Sequence, residues 1–362
     1  MANGRWIYRL DELGKEHSNF VGKKCANLGE MTRAGFRIPQ GFSLSLGAYE
    51  RFIKETGALE KIHSILSTFS ADPNKSESIT KYEETSRTIR GLLESKEMPT
   101  DMEDMIQSFY EELSKKTVRT DLSVATRSAG PASHPGQYET YLHVRGISDL
   151  IKNIIKVWSS TFNTRSLINR ARGGFPLDFD PIGVAVLQMV NAKSAGVMFT
   201  LNPIDGDPSK IVIEGNWGLG ESVVGGEITP DRWTVDKVVF EITESTISSK
   251  IKEYNLDPGT GKPSFVALPP EKQNMASLNK EEILELCKIA KDIEKHFGVP
   301  QDIEWAIDKD LPFPKNIFML QARIEQVWSK RKAEPKLKMA GNWGKIVGSV
   351  MRSHKQNETD HR

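Results

Sequence analysis

The chain has 362 residues, of which 38% are hydrophobic and 27% are charged, and its formal net charge is +1. This composition is typical of a globular protein with two or three lobes, and the nearly neutral charge gives no electrostatic case for binding nucleic acid or a membrane surface. The two cysteines, Cys25 and Cys287, lie far apart and match no metal-binding spacing. Without a signal peptide or a long apolar segment, the sequence predicts a cytoplasmic protein with reduced thiols.

Residues 20–35 predict a loop that enters a helix, with Gly35 at the C-terminal end of that helix. Lys23 and Lys24 would then lie at the helix N-terminus, where free backbone N–H groups favour an anion such as phosphate. The alternative is a solvated pair of lysines at an ordinary helix start. Residues 58–117 predict polar helices that serve as a scaffold.

A strand is predicted at 123–127, followed by a loop of small residues and a second strand at 140–144. Arg127 ends the first strand, where the small residues let backbone amides approach a phosphate. Alternatively, this arginine caps the rim of the sheet. His134 lies between Ser and Pro in the loop and is interpreted as an ordinary loop residue. The apolar spacing over 148–171 predicts one long amphipathic helix.

Several β-branched segments between 182 and 255 predict a mixed sheet. Gln188 interrupts the first of them, and its amide suits either an adenine edge or a hydrogen bond to the backbone. Glu221 lies in a glycine-rich loop at 217–226, either as a lid residue or as a solubilising loop residue. A capped helix is predicted from Asn279 onward.

Two segments further on, 302–308 and 317–323, alternate in polarity and predict an antiparallel hairpin. The predicted cross-strand pairs are Asp308 with Ile317, Glu304 with Gln321, and Asp302 with Arg323. The same alternation places on one face Met319, Gln321 and Arg323. A carboxylate, an amide oxygen and a guanidinium on one surface suit Mg²⁺ that carries the phosphates of a nucleotide. The alternative is a surface hairpin whose charged residues face water.

Together, these segments resemble the nucleotide-binding domain of the phosphoenolpyruvate synthase and pyruvate phosphate dikinase family. The matching blocks, in the order of the family, are 21–30, 124–130, 135–140, 188–190, 196–203, 217–221, 229–232, 302–305 and 320–323. The resemblance implies an α+β protein with the ATP-grasp fold, in which two lobes of mixed or antiparallel sheet enclose ATP. The lobes would be 1–190 and 191–328, followed at 329–362 by a basic tail that is flexible or serves in docking.

The resemblance implies that ATP and Mg²⁺ are the cofactors. Its phosphate contacts, which also carry catalysis, would be Lys24, Arg127 and Arg323. The ligands of Mg²⁺ would be Glu304 and Gln321, both of which also belong to the ATP site.

The remaining implied ATP contacts lie in two other blocks. Gly136 and Thr140 would belong to a loop that closes over ATP. Gln188 would contact the adenine, with Val190 beside it in the binding site.

Two departures from the family pattern affect these expectations. The family usually has glycines where this chain has Lys23 and Cys25, which changes the local loop. Family enzymes also continue into a swivelling domain whose histidine, in a Thr-Ser-His context, accepts the phosphoryl group. None of the seven histidines of this chain has that context. Asp302 receives only a structural role.

The expected function is therefore that of an ATP-binding subunit in a split dikinase-type phosphotransferase. Phosphoryl groups from ATP would pass to a histidine on a partner subunit, and the chain would be active only with that phosphocarrier. A stand-alone chain of this kind resembles the ATP-binding subunit of phenylphosphate synthase, which acts on phenol. The alternatives are the ATP-binding part of a phosphoenolpyruvate synthase-like or antibiotic phosphotransferase, and a nucleotide-binding regulatory subunit without turnover.

Overall fold

The computed structural model describes residues 5–117, 122–131 and 138–328. Gly136, His134 and the tail at 329–362 lie outside the described residues, so the expectations for them stay predictions. The described residues up to Ile324 belong to one compact unit, and Glu325–Trp328 belong to a second. No helix within the described ranges is both long enough and apolar enough to cross a lipid bilayer.

The helices in chain order are α1 Ser18–Val21, α2 Lys23–Arg33, α3 Leu46–Glu55, α4 Ala58–Ser67, α5 Ile79–Glu94, α6 Thr100–Thr117, α7 Ile147–Ser159, α8 Thr164–Arg172, α9 Glu221–Val224, α10 Pro270–Gln273 and α11 Lys280–Phe297. The strands are β1 Ile7–Arg9, β2 Gly41–Leu44, β3 Ser123–Ala129, β4 Thr140–Arg145, β5 Gly183–Gln188, β6 Ala192–Phe199, β7 Lys210–Trp217, β8 Asp231–Asp236, β9 Ile242–Thr246, β10 Lys252–Leu256, β11 Pro263–Ala267, β12 Gln301–Asp308 and β13 Ile317–Ile324.

The strands form two large antiparallel sheets and one hairpin. The first sheet has the order β1-β2-β5-β3-β4, and the second has the order β13-β12-β6-β7-β8-β9. Strands β10 and β11 pair separately. The first sheet uses residues up to Gln188, and the second begins at Ala192. Whether the two sheets act as separate lobes stays a prediction.

Two large cores hold these sheets. In the first core, helices α3 to α8 cover the first sheet around Trp158, whose ring lies 5.1 Å from that of Phe52. In the second core, α2 and α11 pack on the second sheet around the fully buried Trp305. Residues Ala185 and Leu187 of the first sheet also enter the second core, so the two sheets share buried apolar surface.

The predicted helix over 148–171 is wrong as a single element. Helix α7 ends at Ser159, a 3₁₀ turn follows at Ser160–Phe162, and α8 begins after Asn163. The Asn163 backbone is extended, and its side-chain oxygen accepts a hydrogen bond from the Ser166 backbone N–H at 2.7 Å. An asparagine that caps a new helix competes with continuation of the old one, which explains the break.

The predicted pairing of the hairpin is confirmed where the candidate ligands lie. In the β12–β13 ladder, Glu304 is opposite Gln321 and Asp302 is opposite Arg323. These four polar residues therefore occupy neighbouring positions on two paired strands, as the alternation in the sequence indicated.

The predicted pairing of Asp308 with Ile317 is wrong, because Ile317 lies opposite Ile307. The register shifts by one residue next to Glu304, as in a β-bulge with Leu320 as the additional residue. Beyond the bulge the faces exchange, so Met319 packs in the core around Trp305 instead of sharing the face of Gln321. Leu320 packs in a smaller apolar cluster.

Candidate functional site

Arg127 joins the two sheets. It lies on β3 between Ala185 of β5 and Thr140 of β4, and only 15% of its side chain is exposed. Its Nη2 donates to Glu304 Oε2 at 2.5 Å, and its Nη1 donates to the Leu320 carbonyl oxygen at 3.3 Å. Both acceptors belong to the second sheet, so the predicted phosphate contact on β3 and the predicted metal hairpin meet at one place.

Helix α2 begins at Lys23, as the sequence predicted, and its N-terminus is fixed beside Arg127. Gly22 precedes the helix with a φ of +81°, and a Cβ there would lie 2.0 Å from the Ala129 carbonyl oxygen. Only glycine fits this position. The Lys23 backbone N–H donates to the Gly130 carbonyl oxygen at 3.0 Å. The end of β3 and the start of α2 are therefore held together.

Lys24 is half-buried, whereas Lys23 is exposed. Burial, followed by the positive charge of Arg127, lowers the pKa of Lys24 to about 7. Its ammonium group forms no ion pair with a carboxylate of the described residues. The sequence left open which of the two lysines would contact phosphate. In the fold, it is Lys24 that lies close enough to Arg127 for the two charges to interact.

Cys25, at a position where the resemblance implies a glycine, is buried within the regular helix α2. Burial raises the pKa of its thiol to about 11, so the group stays protonated at neutral pH. The two substitutions at Lys23 and Cys25 are accommodated by helical geometry, and the predicted helix start is retained.

Glu304 and Gln321 are opposite each other on β12 and β13, and both side chains carry oxygens. Burial alone would raise the pKa of Glu304, but the charges of Arg127 and Lys24 outweigh burial and hold that pKa below its usual range. Gln321 is only 8% exposed, and its Oε1 has no hydrogen-bond partner among the described residues. Because buried carbonyl oxygens are normally paired, this oxygen has an unused place for a donor or a metal ion.

This donor pair fits Mg²⁺ better than a metal that needs a full protein cage. No group of three or more His, Cys, Asp or Glu residues suited to a metal occurs in the part of the chain that the structure describes. Mg²⁺ is usually bound by one or two carboxylates and by substrate phosphates, and it accepts oxygen ligands. A carboxylate from Glu304 and an amide oxygen from Gln321 match that requirement once phosphates supply the rest.

Arg323 is oriented by Asp302. Both Nε and Nη2 of Arg323 donate to Asp302 Oδ2, at 2.8 and 2.6 Å. Asp302, for which the sequence suggested only a structural role, therefore fixes the direction of a predicted phosphate contact. Of the three basic side chains at the site, Arg127 and Arg323 are each paired with a carboxylate, from Glu304 and Asp302.

An apolar cluster lies next to the hairpin. Its buried members are Val190, Ala192, Ala195, Leu219 and Ala306, and its partly buried members are Leu142, Met189, Tyr254, Phe318 and Leu320. Since Leu320 directly precedes Gln321, this cluster is next to one of the two candidate metal ligands. Gln188 ends β5 two residues before Val190, half-buried, with its backbone N–H donating to the Gln40 carbonyl oxygen at 2.8 Å. Of the two predicted contacts on the adenine side, Val190 belongs to this cluster and Gln188 lies two residues before it in the chain.

The sequence left the role of one further residue open and missed a second. Glu221, whose role was left open, lies at the start of α9. Burial lowers the pKa of Arg127, but the negative charges of Glu304 and then of Glu221 raise it more. Arg90, from the helical scaffold, binds both carboxylate oxygens of Glu139 at 2.8 and 3.0 Å, directly before Thr140. No sequence spacing links Arg90 to Glu139, so only the fold could show this contact.

Comparison with known proteins agrees with this geometry. The model of the family described as "Pyruvate phosphate dikinase, AMP/ATP-binding domain" matches residues 18–342. The chain belongs to this family. Its α/β architecture with antiparallel sheets is that of the ATP-grasp nucleotide-binding fold, as the resemblance implied.

The chain is similar to several archaeal proteins. It is 39% identical to a probable phosphoenolpyruvate synthase of Staphylothermus marinus, over 93% of this chain and 44% of that protein. It is 38% identical to a probable phosphoenolpyruvate synthase of Methanocaldococcus jannaschii, over 95% of this chain and 28% of that protein. It is 36% identical to the phosphoenolpyruvate synthase of Aeropyrum pernix, over 92% of this chain and 44% of that protein. The chain spans less than half the length of these relatives.

Proposed function

We propose that the chain is the ATP-binding part of a dikinase-type phosphotransferase, which passes phosphoryl groups from ATP to a histidine outside these 362 residues. The observation that carries this proposal is the convergence of the groups around Arg127. Arg127 Nε is buried without a hydrogen-bond partner, and Gln321 Oε1 is buried without one as well. Together with Lys24, they offer free donors to phosphate and a free oxygen to its metal ion.

In this proposal, the two sheets form lobes at 1–190 and 191–328 that enclose ATP. Lys24, Arg127 and Arg323 neutralise and align the phosphates, since positioning and electrostatic stabilisation supply most of the catalysis in phosphoryl transfer. Glu304 and Gln321 hold Mg²⁺, which supplies positive charge at the transferring phosphates.

The apolar cluster around Val190 seats the adenine, with the Gln188 side chain at its edge. Thr140 and Gly136, of which the second lies outside the described residues, keep their predicted role in a loop that closes over ATP. ATP-dependent transfer requires the cellular ATP pool, so a cytoplasmic location belongs to the same proposal.

The acceptor is proposed from the relatives. Those cited above are named phosphoenolpyruvate synthases, which favours a pyruvate-directed transfer over the phenol acceptor expected from the sequence. Their names give no support to phenylphosphate synthase. The histidine-bearing partner is part of the proposal, whether it is a separate subunit or a further domain.

The decisive experiment follows AMP and histidine phosphorylation. The chain is incubated with ATP, Mg²⁺ and a histidine-bearing partner purified from the same cells, with pyruvate, phenol or no acceptor. We expect AMP with pyruvate, and almost none with Glu304→Ala or Gln321→Ala, whereas the exposed Glu281→Ala on α11 should retain wild-type rates. AMP only with phenol would restore the phenol acceptor.

Two other outcomes would overturn the proposal. Wild-type rates in both hairpin variants would refute the site assignment. ATP binding without AMP, whichever partner and acceptor are supplied, would instead support a regulatory nucleotide-binding subunit.

A further inference from the structure

The ion pair between Arg127 and Glu304 occupies one of the two groups proposed to hold Mg²⁺. The two side chains are 15% and 18% exposed, and the bond between Nη2 and Oε2 measures 2.5 Å. A bond of this kind between ionised groups is strong where solvent is largely excluded. Without nucleotide, the charge of the Glu304 carboxylate is therefore already neutralised by a guanidinium.

The surroundings also oppose a free metal ion. Arg323 adds a positive charge that acts on Glu304, and Lys24 adds another when its ammonium group is protonated. Like charges at short range repel strongly when they are partly buried. A divalent cation approaching Gln321 Oε1 would thus meet two carboxylates, Glu304 and Asp302, that are already paired with arginines. Glu221 is the remaining carboxylate that acts on Glu304, and burial raises its pKa.

The Arg127 guanidinium has donors that could bind a group other than Glu304. Its Nε is buried without a partner, and the bond from its Nη1 to the Leu320 carbonyl oxygen is long, at 3.3 Å. A phosphate group can accept two hydrogen bonds from one guanidinium and carries more charge than a carboxylate. A polyphosphate next to β3 would therefore compete with Glu304 for this arginine.

We infer that Arg127 controls how the site is filled: Glu304 accepts a metal ion only after a polyphosphate has drawn the guanidinium away from it. The inference rests on the proposed function, in which Glu304 and Gln321 are the metal ligands. Free divalent metal is excluded, and metal that arrives with a polyphosphate is accepted. By linkage, metal and nucleotide each raise the affinity of the site for the other.

The first test uses Mn²⁺ as a probe for Mg²⁺, with binding to the full chain followed by electron paramagnetic resonance in the absence of nucleotide. We expect Arg127→Met to bind Mn²⁺ about tenfold or more tightly than wild type, because Glu304 is released. The matched control is Lys24→Met, with all proteins measured at pH 6, where most Lys24 side chains are protonated. This variant removes one positive charge from the same site but breaks no bond to Glu304. It should change Mn²⁺ affinity much less.

The second test needs no change at Arg127, and so stands even if Arg127→Met does not fold. In the presence of EDTA, Glu304→Gln should bind metal-free ATP more tightly than wild type, because Arg127 no longer has to leave a carboxylate. Glu281→Ala should leave this affinity unchanged.

The inference is overturned if wild type binds Mn²⁺ alone as tightly as Arg127→Met, if Lys24→Met matches Arg127→Met, or if Glu304→Gln fails to gain affinity for ATP. If the inference fails in one of these ways, the proposed function still stands provided that Mn²⁺ binds only when ATP is present and fails to bind when Gln321 is replaced. If neither wild type nor any of the variants binds Mn²⁺ in the presence of ATP, the proposed metal site is refuted.

Discussion

Lys24 shows most clearly how neighbours change the chemistry of a single residue. In the sequence it is one of two adjacent lysines, and either suits a helix N-terminus. In the structure, Lys23 is exposed, while burial and Arg127 lower the pKa of Lys24 to about 7. An ammonium with this pKa is partly deprotonated at neutral pH, and a bound phosphate would restore the proton.

This leads to a prediction for ATP binding as pH changes. The free protein loses the Lys24 proton as pH rises through about 7, whereas the phosphate-bound form keeps it, so affinity should fall above pH 7 and binding should take up protons. Isothermal titration calorimetry at pH 8, in two buffers of different ionisation enthalpy, measures this uptake. Lys24→Met should abolish it and Lys23→Met should not. Equal heats in both buffers for wild type would contradict the prediction.

At the scale of elements, hydrophobic periodicity alone did not predict where each helix begins and ends. The apolar spacing continues from α7 into α8, yet α7 ends at Ser159 and Asn163 caps the start of α8. The hairpin shows the same limit, since the pattern placed Glu304 opposite Gln321 but gave no sign of the bulge at Leu320. A bulge depends on how both strands pack, and this information is not local.

The cap of α8 gives a prediction at this scale. Asn163→Ala removes the acceptor for the Ser166 backbone N–H, and we expect a loss of about 1 kcal/mol in the free energy of unfolding. Urea denaturation followed by circular dichroism measures the change. The control is Asn169→Ala, at an exposed position within the same helix. If both variants lose the same stability, the capping bond is not the cause.

At the scale of the whole molecule, distant segments are joined by a few buried polar contacts. Asp231, at the start of β8, accepts hydrogen bonds from Lys250 Nζ at 2.5 Å and from the backbone N–H and hydroxyl of Ser277, each at 2.8 Å. Lys250 and Asp231 are both fully buried. One carboxylate thus connects β8 with the chain before β10 and the chain before α11.

Breaking this ion pair should be costly. Lys250→Met leaves the Asp231 charge buried without its partner, and we expect a loss of about 3–5 kcal/mol in the free energy of unfolding. Urea denaturation measures it, with Lys262→Met as the exposed control. The double variant Lys250→Met with Asp231→Asn should recover part of the loss, because it removes the unpaired charge. Additive losses in the double variant would argue against a charge effect.

The sequence by itself determined strands β3 and β4, the start of α2 and the polar pairs of the hairpin, because these depend on short-range alternation and on helix-start chemistry. It missed β1, β2 and β11. From those blocks, the resemblance also gave the family and the ATP-grasp fold, which the comparisons confirm. The assigned roles of the site residues stay predictions.

Only the tertiary structure decided which groups meet. Arg127 and Glu304 are 177 residues apart, and Arg90 and Glu139 are 49 apart, distances over which sequence spacing carries no geometric information. The pairing of Arg127 with Glu304, the free oxygen of Gln321 and the lowered pKa of Lys24 all arise because α2, the first sheet and the hairpin pack together and exclude water.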